Sequence, residues 1–333
     1  MKKFINKVDD ILIESLSGFA AAHYDLVQLQ LEPNFLRRKN KAVNKVAIIS
    51  GGGSGHEPLH AGYIGYGMLD AACPGHVFTS PTPDQILAAA EAVHADKGIL
   101  FIVKNYAGDV MNFEMAAEML PFEHATVLIS DDCAVINSTY TNGRRGVAGT
   151  VIVEKCVGSL AETGADLLAC KTLGNRVNNV TASIGVALTS CTVPAAGRPT
   201  FDINETELEM GVGIHGEPGR RREVMREADA IVNDMVEAIL ADFKTKNLNV
   251  KNQEALLLVN GFGATPLMEL YLIFNKANQL LTQHSVQITR SLVGNYITAL
   301  DMAGTSLTLC LLDEEIKQHW DSPVHTAALR WNK

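Results

Sequence analysis

One alternation constrains the first half of the chain more than any other feature. Short apolar runs, KVAIIS at Lys45–Ser50, GILFIVK at Gly98–Lys104 and ATVLIS at Ala125–Ser130, are separated by stretches of helical period. TPDQILAAAEAVHA opens with Thr82 as N-cap, Pro83 at the first helical position and Gln85 as the capping partner. VMNFEMAAEML follows the NYAGD turn, and a third helical stretch runs from Val147 toward Glu162. Strands with helices between them become neighbours through crossover connections, which predicts a mainly parallel open sheet with helices on both faces.

The texture changes after Ser190. The segment CTVPAAGRPTFDINETELEMGVGIHGEPGRR is rich in turn chemistry, and REVMREADAIVNDMVEAILADF reads as an amphipathic helix. EALLLVNG, a helix over Pro266 to Leu281, VQITRSLVGN and SLTLCLL then form a second strand-helix-strand-strand unit. The expectation is an α/β protein of two α/β domains, residues 1–190 and a smaller, mixed domain over 191–333.

Bulk numbers narrow the function classes. A net charge of −9 without a long basic run argues against nucleic acid or an anionic membrane surface as partner. The N-terminus lacks an uninterrupted apolar core, and nothing approaches 18 consecutive apolar residues. Six scattered cysteines without C-x-x-C spacing read as free thiols in a reducing cytoplasm.

Three predicted strands end in Gly51–His56, Lys104–Asp109 and Asp131-Asp132, and ligands of open parallel sheets sit at such carboxyl ends. The first, SGGGSGHEPLH, also fits the zinc signature H-E-x-x-H. That signature needs both histidines on one helical turn, whereas glycines precede it and Pro58 biases Glu57 away from helix. A P-loop fails because His-Glu follows Gly55, and a dinucleotide fingerprint fails because His56 takes its third glycine position. What remains is a glycine loop whose amides approach a small ligand closely. Asp109 alone reads as a helix cap, as does the Asp131-Asp132 pair, and the arginines of NGRRG read as solvated. NGFGATP reads as a structural strand-to-helix turn. His215 stands between glycines in GVGIHGEPG, a presented rather than a core-filling position.

The ordered set KVAIISGGGSGHEPLHAGYIGYGML, FTSPTPDQI, KNYAGDVMNFEMA, YTNGRRGVAGT, CTVPAAGRP, MGVGIHGEPG, VNGFGATPLMELY and LDMAGTSLTL resembles the substrate-binding subunits of dihydroxyacetone kinases, from Lys2 to Trp331. The resemblance implies a covalent hemiaminal between a ring nitrogen of His215 and the ketone. It implies a hydrogen-bonding, proton-transferring role for His56, and Asp109 as general base on the hydroxyl that receives phosphate. Gly53, Ser54, Gly55, Ser80 and Lys104 would line the pocket. No metal or nucleotide site is visible in the chain. The resemblance places ADP/ATP with Mg on a separate nucleotide-carrying subunit, recharged from phosphoenolpyruvate through the phosphotransferase system, with no room for such a domain before Lys333. It also implies a homodimer. Cys133 and Asn137 depart from the expected hydrophobic residue and acid, marking a partner-facing or loop detail. A ketone-sensing co-activator of a transcription regulator is the rival reading.

Overall fold

The computed structural model describes residues 2–138 and 141–332. The first half contains α1 (Ile11–Ala22), β1 (Val27–Leu31), β2 (Asn34–Arg38), β3 (Ala47–Ser54), β4 (Gly65–Tyr66), β5 (Ala71–Val77), α2 (Pro83–Val93), β6 (Ile99–Lys104), α3 (Ala107–Met119), β7 (His124–Ile129), α4 (Gly149–Glu162) and α5 (Leu167–Asn179). The second contains β8 (Thr181–Ala187), β9 (Glu207–Met210), β10 (Arg221–Val224), α6 (Ala228–Thr245), β11 (Glu254–Gly261), α7 (Leu267–Gln283), β12 (Gln287–Gly294), β13 (Gly304–Leu312), α8 (Glu314–Asp321), β14 (Val324–Thr326) and β15 (Arg330–Trp331).

The fold is α/β. The first sheet has the order β1-β2-β5-β3-β6-β7, in which β5, β3, β6 and β7 are parallel and the β1-β2 hairpin extends one edge antiparallel. The strand-helix alternation therefore predicts the parallel part, and the amide of Thr82 donates to the Gln85 side-chain oxygen at the start of α2 as the capping pattern requires. The second sheet has the order β10-β9-β8-β13-β11-β12, with one parallel pair, β11 and β12. The chain passes from one sheet to the other between Ile129 and Thr181, so β8, which ends just before Ser190, pairs with β13 inside the second sheet. β4, β14 and β15 form a small third sheet.

One apolar core joins the two large sheets. Leu36, Ile102 and Val151 from the first half share a cluster with Phe262, Ile297 and Cys310 from the second. Burying each such side chain contributes about 1.5–3 kcal/mol, so the seam is part of the fold's stability.

The glycines of SGGGSG do not form the expected loop. β3 continues through them to Ser54, with Gly51, Gly52 and Gly53 opposite Cys73, Pro74 and Gly75 of β5. A Cβ on Gly51 would stand 2.6 Å from the Cys73 carbonyl oxygen, and one on Gly53 the same distance from the Thr79 amide. Close approach of neighbouring backbone, rather than an open ligand cradle, is what selects glycine here.

Candidate active site at the seam between the sheets

Four short segments converge beyond the carboxyl ends of β3 and β6. His56 follows β3, Phe78 follows β5, Tyr106 to Asp109 open α3, and His215 leaves β9 from the second sheet. Phe78, Ser80, Gly53, Tyr106, Asp109 and His215 line a cavity of ≈ 880 Å³, and His56 sits behind His215.

Its centre is a pair of imidazoles. His56 Nε2 and His215 Nε2 are 3.1 Å apart. His56 Nδ1 donates to the Thr298 carbonyl at 2.8 Å, and His215 Nδ1 faces Glu217 Oε1 at 2.9 Å. The second Glu217 oxygen accepts the His215 backbone amide at 2.9 Å. Burial alone would raise the Glu217 carboxyl, but the charge of His215, the hydrogen bond from it and Arg145 hold it down at about 2. Glu217 is therefore an anion and His215 Nδ1 is the donor. Both Nδ1 atoms donate outward, so one proton must lie between the two Nε2 atoms. Burial, then the charges of His215 and Lys104, push His56 well below the usual histidine range.

The rings are fixed by packing. Phe78 stacks on His56 with centroids 4.9 Å apart, and Tyr106 meets the His215 ring edge-on at 4.6 Å. Phe78 adopts φ +56°, a left-handed conformation that costs an L-residue about 1–2 kcal/mol and is held only where surroundings dictate it. Thr298 is itself fixed from below. Asn260, buried in β11, accepts the amides of Tyr296 and Ile297 and donates to the Ile297 carbonyl. The NGFGATP turn thus supports the site as well as starting α7.

On the opposite wall, Asp109 lies in the first turn of α3, 3% exposed, where the helix dipole favours a carboxylate. Its Oδ2 is 3.5 Å from the Lys104 ammonium. Ser80 lines the same cavity beside Gly108, while Ser54 turns away and donates to the Gly75 carbonyl. Gly55 donates its amide to Glu57 and its carbonyl accepts the Leu300 amide, so it belongs to the seam. The H-E-x-x-H segment forms a bend and turns, a short 3-10 helix (Ala61–Tyr63) begins only after it, and His56 and His60 have different partners, His215 and the Glu154–Lys104 pair.

Other singled-out residues have structural duties. Asp131 accepts the amides of Val147 and Gly149 at the start of α4, as a cap should. Asp132 instead pairs with Arg145, and burial raises its carboxyl to about 6 against the pull of that arginine. The arginines of NGRRG are not solvated: Arg145 is fully buried and also donates to the Gly211 carbonyl, while Arg144 holds Asp242. A buried aspartate opposite explains the difference, since the charge is paired before it is desolvated. Asn137 accepts the Gly143 amide and Cys133 donates its amide to Ser183. Thr139 and Tyr140 of that segment lie outside the described residues. Sequence reasoning passed over Glu217, Phe78, Tyr106 and Thr298. Glu217 carried a signal, a carboxylate two residues from a presented histidine; Thr298, acting through its backbone, carried none.

Residues 17–328 match the family model described as the Dak1 domain. The chain is 47% identical to the dihydroxyacetone-binding subunit of the PEP-dependent dihydroxyacetone kinase of Escherichia coli, covering 100% of both. It is 46% identical to the corresponding subunit of a PTS-dependent dihydroxyacetone kinase of Listeria innocua, over 95% of each chain. Among solved structures, a dihydroxyacetone kinase operon co-activator superposes with a TM-score of 0.89 at 33% identity, over 97% of this chain and 98% of the other. The native kinase of C. freundii superposes with a TM-score of 0.86 at 33% identity, over 99% of this chain and 60% of the other. No helix among the described residues is long and apolar enough to cross a membrane. With nearly its whole length matched, the chain belongs to the Dak1 domain family, the family of the dihydroxyacetone kinase subunits to which it is similar.

Proposed function

We propose that this chain is the dihydroxyacetone-binding subunit of a multi-subunit, phosphoenolpyruvate-dependent dihydroxyacetone kinase. The observation that carries the reading is the His56–His215 pair with its Glu217 counter-ion, His215 lining a cavity that Asp109 also lines. The proton shared between the imidazoles shifts to His56 Nε2, which frees the His215 Nε2 lone pair to attack the ketone carbon, and it then passes to the carbonyl oxygen, giving a hemiaminal. The positive charge ends on the alkylated imidazole against Glu217, and His56 is left neutral. Glycerol lacks a carbonyl and is excluded. The bond fixes the free hydroxyl for in-line attack, an entropic advantage.

Asp109 then takes the hydroxyl proton as its oxygen attacks the terminal phosphorus of ATP. The nucleotide, with Mg, is carried by a separate subunit docked over the cavity mouth and recharged from phosphoenolpyruvate. ADP is the leaving group and stays on that subunit for recharging; the hemiaminal reverses, and dihydroxyacetone phosphate is released. The chain works as a cytoplasmic homodimer in this reading. Similarity to the operon co-activator favours a second reading, in which the chain captures the ketone and signals to a regulator. The two share His215 but only the kinase requires Asp109 and a nucleotide partner.

The test is dihydroxyacetone phosphate formation by the chain with MgATP, alone and with a nucleotide-carrying subunit, with ketone binding followed in the same sample. Turnover with the partner only is expected, and His215→Ala should retain its fold while losing ketone binding. Ketone binding without turnover beside a partner competent toward another such subunit would establish the sensor instead. Unchanged ketone affinity in His215→Ala would refute the covalent step.

A further inference from the structure

Two buried groups beneath Asp109, His60 and Glu154, take no part in the chemistry above. We propose that His60 and Glu154 are positioning residues that aim the Lys104 ammonium at Asp109 for phosphoryl transfer; the inference rests on the kinase reading.

The argument is one of donors and acceptors. Lys104 Nζ donates to the Gly51 carbonyl at 3.1 Å and lies 2.9 Å from His60 Nε2. An ammonium has three donors and no acceptor, so Nε2 must bear the lone pair and the ring proton must sit on Nδ1. Nδ1 then donates to Glu154 Oε1 at 2.7 Å, which fixes the tautomer from the far side. Two of the three ammonium hydrogens are thereby committed, and the third is left for Asp109 Oδ2 at 3.5 Å. Water does not compete, because Lys104, His60 and Glu154 are 1%, 6% and 0% exposed. Gly52 leaves the space, since a Cβ there would overlap Lys104 Nζ.

Three separate elements are needed to build this chain: Lys104 ends β6, His60 precedes the short 3-10 helix, and Glu154 lies in the middle of α4. An apolar pair of similar volume would fill the same space without burying polar groups. Burial, reinforced by Lys104, holds the His60 ring well below the usual histidine range, so it stays the neutral acceptor that the ammonium needs. Burial raises Glu154 to about 8, with Lys104 pulling in the opposite direction.

The test uses the full chain with its nucleotide-carrying partner. In H60L, kcat should fall about tenfold or more, while dihydroxyacetone affinity stays within about threefold because His56, His215 and Glu217 are untouched. H60Q restores an oxygen acceptor near the Nε2 position and should recover part of the loss, and the acid limb of the kcat–pH profile should move up in H60L. E154Q serves where H60L does not fold. Long-range proton–nitrogen NMR of the free wild-type chain should show His60 protonated at Nδ1 only. A ring protonated at Nε2, or an H60L enzyme with unchanged kcat and pH profile, overturns the proposal. A wild-type complex that binds ketone without turnover sinks the kinase reading and the role of the pair together. Turnover in the wild type with no change in H60L sinks the positioning role alone.

Discussion

Replacing Glu217 with glutamine removes one charge and almost no volume, and it separates electrostatics from shape at the reactive histidine. Both carboxylate oxygens accept N–H groups of His215, one from Nδ1 and one from the backbone, each at 2.9 Å. An amide offers one acceptor and turns its NH2 toward the other donor, so one bond is lost in either rotamer. A hydrogen bond to a charged group is worth about 1.5–3 kcal/mol, and tenfold corresponds to about 1.4 kcal/mol. Glu217→Gln should therefore capture dihydroxyacetone about tenfold to a hundredfold more weakly, since the charge on the alkylated imidazole loses its counter-ion. Calorimetric titration gives the affinity. With ketone labelled with carbon-13 at the carbonyl, NMR gives the fraction of tetrahedral carbon. Capture within twofold of the parent, in a protein of unchanged thermal stability, would refute the claim that Glu217 is the counter-ion of the alkylated His215.

The remaining predictions use the same geometry. Asp109→Ala should bind the ketone normally and transfer phosphate about a hundredfold to ten-thousandfold more slowly with the partner, and a near-normal rate would remove its role as base. Gly52→Ala forces the buried Lys104 ammonium off its partners; kcat should drop, and thermal stability should fall with it. Arg145→Met leaves Asp132 buried without its partner and should cost about 3–5 kcal/mol in denaturant unfolding. In acid, the depressed pKa of Glu217 adds stability that is fully present above its ordinary range near 4.5 and is lost as pH falls toward about 2. The acid-unfolding profile of Glu217→Gln should lack that component.

Legibility in the sequence followed the range of the interaction. The α2 start was readable because a capping pattern lies within four residues, and the parallel strands because apolar runs alternated with helices. The hairpin β1-β2 and strands β5 and β8 were not singled out: NFLRR is only partly apolar, and AACPGHV holds a proline and two alanines. β10 was partly absorbed into the helical reading of REVMREADAIV, whose first three residues, Arg222–Val224, are strand and whose helix begins at Ala228. His56, Asp109, Lys104, Ser80 and Gly53 could be named from motif and resemblance; Asp109, Ser80 and Gly53 line the cavity, while His56 and Lys104 sit behind it against His215 and Asp109. Ser54 and Gly55 were grouped with them by adjacency, but their hydrogen bonds run to Gly75 and across the seam. Partners distant in sequence, such as Thr298 for His56 or Glu154 for His60, leave no local trace. Their pairing depends on how the sheets and α4 come together.

The seam that carries Thr298 to His56 also determines what an activity assay reports. The His56 carbonyl accepts the Thr298 amide, the Gly55 carbonyl accepts the Leu300 amide, and the Tyr63 hydroxyl donates to the Tyr296 carbonyl. Either sheet could keep its own hydrogen-bond ladder while these few cross-links let go. In a heating or denaturant series, ketone capture should then disappear before far-ultraviolet circular dichroism records any loss of secondary structure. Recovery of capture on refolding would time the moment at which two finished halves close on each other.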